Sequence, residues 1–69
     1  MRISARNQIK GNVVEVKKGA TTSHIRVDTG NGQIITSSIT NEAVDELGIK
    51  AGSSVTVVVK ASDVMIAVD

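Results

Sequence analysis

Two short stretches near opposite ends of the chain carry the side chains best suited to chemistry: Ser4-Ala5-Arg6-Asn7 and Lys60-Ala61-Ser62-Asp63. Arg6 offers a rigid fork of donors, Lys60 a point charge, and Ser4 and Ser62 rotatable hydroxyls, while the small Ala5 and Ala61 let the main chain come close enough to donate its own N–H. Two fixed cations, two hydroxyls and several N–H groups suit a compact, multiply charged oxyanion held by charge-assisted hydrogen bonds. Each residue also has a plainer role open to it. Arg6 reads equally as the charge of a solvated arm, and Lys60 as the gatekeeper of an edge strand. Ser62 either donates to the anion or closes a turn, and Asn7 either belongs to the site or forms a local turn. Asp63 would face a dianion unfavourably, which leaves it a turn bond or a salt bridge to Arg6 or Lys60.

Little else in the sequence could react. His24 is the single histidine, Cys is absent, and no partner at catalytic or metal-ligand spacing accompanies that His, so it reads as a surface or interface residue. With no cluster of carboxylates for acid–base work, the chain is expected to be no enzyme, to need no catalytic cofactor and to hold no bare metal cation. The net charge is +1 and aromatic residues are absent, which weighs against a basic, base-stacking groove for nucleic acid. Any anion site must therefore be local. The Lys17-Lys18-Gly19 turn reads as simply solvated.

The elements that must position these residues are mostly strands. Eleven Val and eight Ile stand against a single Leu, with six Thr besides, and β-branched side chains favour pleated structure. A first strand is predicted over Gln8 to Lys17, where the apolar alternation switches phase at Val13-Val14 as a β-bulge or strong bend would cause. Gly11 within it marks a bend or a close approach by another backbone. Thr21 to Asp28 forms a second strand with Ser23, Ile25 and Val27 on one face, and Thr29-Gly30-Asn31-Gly32 is a hairpin connection to a third, Gln33 to Ser38. Ala43, Val44 and Leu47 then lie on one face of a short helix over Thr40 to Leu47, with Thr40 as N-cap and Gly48 ending it. Ser53 to Lys60 is a fourth strand, apolar on both faces at Val55, Val57, Val58 and Val59, and Val64 to Val68 a fifth. Three strands, a helix between strands 3 and 4, then two strands is the order of the OB-fold, so the expected fold is an all-β, OB-fold-like Greek-key barrel forming a single domain over 1–69.

So small a chain, without aromatics to fill a core or disulfides to staple it, has association with copies of itself as its remaining route to stability. An obligate homo-oligomer is expected. No apolar run is long enough to span a membrane and no hydrophobic leader stands at the N-terminus, so a cytoplasmic location without membrane partner is expected.

Ile3-Ser4-Ala5-Arg6-Asn7-Gln8, Glu46-Leu47-Gly48 and Lys60-Ala61-Ser62-Asp63-Val64-Met65, collinear over essentially the whole chain, together resemble the mop domain of the molbindins, small molybdate- and tungstate-binding proteins. The resemblance implies the same barrel and a hexamer built as a trimer of dimers. It also implies molybdate or tungstate bound at subunit interfaces, for intracellular storage or homeostasis, and further oxyanion sites near symmetry axes for which the Lys17-Lys18-Gly19 turn with Thr21 or Thr22 is a candidate. Ser4, Ala5, Arg6, Lys60 and Ser62 become oxyanion ligands through side chains or main-chain N–H groups. Thr40, with the N–H of Ala43, would close the pocket from a neighbouring subunit, since a helix start presents unpaired N–H groups and partial positive charge. Without the resemblance, Thr40 is explained by capping alone. Since no DNA-binding or transporter segment accompanies the motif, storage is preferred to sensing. The rival readings are a nucleic-acid-binding OB module and a small dimeric DNA-binding protein.

Overall fold

The computed structural model describes residues 1–69. Its elements are β1 (Asn7–Lys18), β2 (Thr22–Asp28), β3 (Ile34–Thr40), helix α1 (Asn41–Leu47), β4 (Ser54–Val59) and a 3₁₀ turn over Ala61–Asp63. The four strands form one antiparallel sheet in the order β3-β2-β1-β4, curled into half a barrel. β1 is the shared strand: its residues 7–12 pair with β4 and its residues 12–18 with β2. Val13 faces Val27 and Glu15 faces Arg26, so Val14 is an extra, unpaired residue at the predicted phase switch. Such a bulge bends a strand. Gly11 completes the bend, because a Cβ there would lie 2.6 Å from Val27 Cγ1 and 2.7 Å from the Asp28 carbonyl oxygen.

Alternation along the strands builds the core. Val13, Ile25, Val27 and Val44 are its buried residues, with Val16, Ile39, Ile49, Val55 and Val57 packed against them half-buried. The β2–β3 connection turns through positive φ at Gly30, Asn31 and Gly32, and the Asp28 carboxylate accepts the Gly30 N–H at 2.8 Å. Helix α1 is too short to persist by propensity. It is held by buried Val44 and by its caps, with Gly48 in the left-handed region at φ 65°. No helix of the chain is long and apolar enough to cross a membrane.

Three expectations need correction. The third strand runs on to Thr40 and the fourth stops at Val59, which leaves Lys60 outside the sheet at the entrance to the 3₁₀ turn. Residues 64–68 form no strand, although their alternation predicts one, and the barrel is correspondingly open between β3 and β4. The physical reason lies in pairing. A strand exists only on a ladder, and after the turn at Ala61–Asp63 this chain leaves both free edges, so Met65, Ile66 and Val68 are each more than four-fifths exposed.

Gly11→Ala forces a methyl group against main chain that cannot yield, an overpacking that costs about 1–3 kcal/mol. Thermal unfolding of that variant is expected to begin well below the native transition, and an unchanged transition would contradict the close approach of β1 to β2.

Candidate functional site

The β1–β4 ladder closes at Asn7 opposite Val59, so Arg6, just before it, and Lys60, just after it, emerge at the same end of the sheet. Beyond Lys60 the chain turns sharply: the Asp63 N–H donates to the Lys60 carbonyl at 2.9 Å and the Val64 N–H to the Ala61 carbonyl at 3.3 Å. Ser62 is thereby folded back toward the N-terminal arm. Together these segments enclose a cavity of about 430 Å³ lined by Ile3, Ser4, Ala5, Arg6, Lys60, Ala61 and Ser62. Five of the residues singled out in the sequence, Ser4, Ala5, Arg6, Lys60 and Ser62, thus share one opening.

Its electrostatics are simple. The molecule's ion pairs are Lys18 with Asp45 at 3.1 Å and Arg26 with Glu15 at 3.8 Å, so Arg6 and Lys60 have no carboxylate partner. Of the two roles open to the Asp63 side chain, neither is made: its carboxylate enters no salt bridge, and the bond it contributes to the turn comes from its main-chain N–H. No acidic side chain lines the cavity. Two polar contacts support its rims from behind: Asn7 Nδ2 donates to the Val59 carbonyl at 3.2 Å, and Gln8 Nε2 to the Ala5 carbonyl at 3.1 Å. Sequence reasoning left Asn7 undecided, and only the strand register reveals its partner.

Thr40 and Ala43 lie apart from this cavity within the chain. Thr40 is the N-cap of α1, and its Oγ1 accepts the Ala43 N–H at 3.1 Å. That N–H is engaged in the cap, whereas the hydroxyl proton of Thr40 remains free to donate. Behind the cap stands a network the sequence reading did not find. Ser23, the one buried polar residue, donates through Oγ to Asn41 Oδ1, and Asn41 Nδ2 donates to the Gly19 carbonyl at 3.1 Å. The Asn41 N–H donates to the Thr21 carbonyl at 2.9 Å. The available signal was a Ser on the inward face of β2, between apolar neighbours, where a hydroxyl needs a partner. His24 faces Lys17 across the β1–β2 ladder, and with Lys18, Gly19 and Thr22 these line a separate hollow of about 240 Å³. Thr21 is not among its walls.

Compared with known proteins, residues 3–66 match the TOBE domain. The sequence is 52% identical over 66 residues to molybdenum-pterin-binding protein 2 of Clostridium pasteurianum, covering 96% of this chain and 97% of that protein. The fold superposes on MopII from Clostridium pasteurianum with a TM-score of 0.91 and 49% identity, covering 97% of this chain and 100% of the other. It also superposes on ModG, described as a cytoplasmic molybdate-binding protein and solved with molybdate bound, with a TM-score of 0.90 and 43% identity. There 94% of this chain is covered but 46% of the other, so this chain spans about half the length of ModG.

Ser23→Ala leaves the Asn41 carbonyl oxygen without its donor in a half-buried place, and loss of such a bond costs about 1–3 kcal/mol. The expected result is a lower thermal transition with the sheet signal retained; a transition equal to wild type would show that the network does not hold the helix start.

Proposed function

This chain belongs to the TOBE-domain family, and within it to the Mop proteins, and from that membership we propose that it binds intact molybdate or tungstate in the cavity between Arg6 and Lys60. The observation that carries the reading is the meeting of two cations without carboxylate partners, and two hydroxyls, on one opening. A tetrahedral dianion is the charge complement of that pair. The Arg6 guanidinium can meet two oxygens in parallel, the Lys60 ammonium a third, and Ser4 and Ser62 donate from the sides while the Ala5 main chain approaches closely. The oxyanion is bound by hydrogen bonds and charge, not as a metal ion ligated by the protein, and no chemistry is done on it. Sulfate has the same charge and shape, so cavity size is the remaining basis for preferring the larger anions.

The site is shared between copies. Within one chain Thr40 is remote from the cavity, and its free hydroxyl proton is offered to an oxyanion held by a neighbouring subunit. The need for a neighbour has its own support: five of 69 residues are buried, while the alternating apolar tail at Val64, Ile66 and Val68 stands in solvent. Between the free edges of β3 and β4 lies an apolar opening of about 200 Å³ lined in part by Ile39, Leu47, Val55 and Val57. The tail of a second copy fits there as the missing fifth strand, with its main-chain groups on the β3 and β4 edges and its apolar side chains in the opening. Dimers joined in this way, three to a hexamer, are the assembly we assign, and cytoplasmic storage of the oxyanion its role. ModG, a relative in structure and sequence, is described as cytoplasmic and molybdate-binding, which accords with the location and the ligand.

Calorimetric titration of anion-free protein with molybdate, tungstate and sulfate, at known subunit concentration, is expected to give tight uptake of the first two and none of sulfate. Arg6→Ala is expected to weaken molybdate binding by about a hundredfold or more, on the order of 3 kcal/mol, while the oligomer persists. Equal, weak binding of all three anions would reduce the Arg6 and Lys60 pair to a generic basic rim. For the assembly, ending the chain at Asp63 or diluting the native protein should abolish sedimentation as an oligomer and oxyanion uptake together. A folded monomer that still binds would refute the shared site.

A further inference from the structure

We propose that Asn7 is a positioning residue for the oxyanion site: its side-chain amide, bonded to the Val59 carbonyl, holds Arg6 and Lys60 at one opening against their mutual repulsion. The inference rests on the oxyanion reading of that cavity and adds to it a residue that touches no ligand.

The last rung of the β1–β4 ladder is Asn7 opposite Val59, and the residue just beyond each strand end is a cation. Ladder ends fray, and like charges set opposite each other on neighbouring strands push them apart. Here neither cation has a carboxylate to neutralise it, and no acidic group lines the cavity they share. Something other than charge pairing must keep that end of the ladder closed while the site is empty. Asn7 is half-buried and sends Nδ2 across the rung to the Val59 carbonyl at 3.2 Å, which adds a side-chain bond at the point where the strands would part. On the far side, the Lys60 carbonyl is fixed by the Asp63 N–H and the Ala5 carbonyl by Gln8 Nε2, so the main chain on both rims is restrained.

The choice of residue follows from the same geometry. An amide can donate to a carbonyl without bringing charge to the cavity, where a carboxylate would repel the dianion and a further cation would add to the repulsion. A serine hydroxyl is too short to cross the rung. Asn7 therefore acts on binding by pre-organising two donors, which reduces the ordering cost at the moment the ligand arrives.

The test compares wild type, Asn7→Ser and Asn7→Gln as full-length, assembled protein, by calorimetric titration with molybdate, by the ligand-free thermal transition and by sedimentation. Asn7→Ser is expected to bind molybdate roughly tenfold more weakly, as loss of one hydrogen bond would give. Its assembly should be native and its ligand-free transition within a few degrees of wild type. Asn7→Gln, which keeps the amide, is expected to recover most of the affinity. Native affinity in Asn7→Ser, or no recovery in Asn7→Gln, overturns the proposal. So does a loss of affinity in Asn7→Ser that comes with loss of assembly, because the bond would then be structural. If wild type itself takes up no molybdate, the reading of the cavity fails and this inference with it; if wild type and Asn7→Ser bind alike, the cavity stands and only the role of Asn7 falls.

Discussion

One strand belongs to two ladders, and the rest of the structure depends on that sharing. β1 gives its first half to β4 and its second half to β2, with a bulge at Val14 bending it between them. Gly11 permits the main chain of β2 to come close, and the unpaired Val14 adds the twist. The inward faces of the two halves then converge on Val13, Ile25 and Val27, with Val44 of α1 closing the end. The first half of β1 pairs antiparallel with β4, so the start of one lies alongside the end of the other, which is how two stretches more than fifty residues apart in sequence come to line one cavity. Core and cavity both depend on a single strand shared between two ladders.

The sheet that results encloses a small core. Four side chains make its buried core, and none is larger than isoleucine. A chain with no aromatic residue and no disulfide has few means of burying more by itself. Its open side carries two unpaired strand edges, an apolar opening between them and an apolar tail. Natural proteins rarely leave such edges bare, because they template further pairing. In the assembly proposed above the edges are occupied by a strand of matching alternation, so the feature that weakens the monomer becomes the contact that defines the oligomer.

Much of this was legible in the sequence, for reasons of period and of backbone chemistry. The phase switch at Val13-Val14 located the bulge, since one extra residue must shift an alternation. Gly30-Asn31-Gly32 located the hairpin because positive φ was needed there, and Thr40 with Gly48 bracketed the helix because its ends require a cap and a left-handed residue. Of the residues lining the cavity, Ser4, Ala5, Arg6, Lys60 and Ser62 are marked in the sequence by their donors, their charges or their small size. What could not be read was partnership. The Val64 to Val68 alternation signals competence to be a strand, but a strand is a relation between two segments and the second lies outside the ladders this chain makes with itself. Ser23, Asn41 and Asn7 escaped for a similar reason: hydroxyls and amides have many possible partners along a sequence, and only the register across strands selects Val59 for Asn7, or Asn41 for Ser23.

The bulge at Val14 has a further consequence. Counting inward-facing positions along β1, Val13 and Val16 both point to the core, with two residues between them where a regular strand would have one. Excising Val14 would therefore leave every other side chain of the strand on its present face, inside or outside, and would alter no hydrophobic pattern at all. The residue carries no share of the composition that defines the core. It is a spacer whose whole content is curvature, the equivalent of a wedge driven between two bricks of an arch.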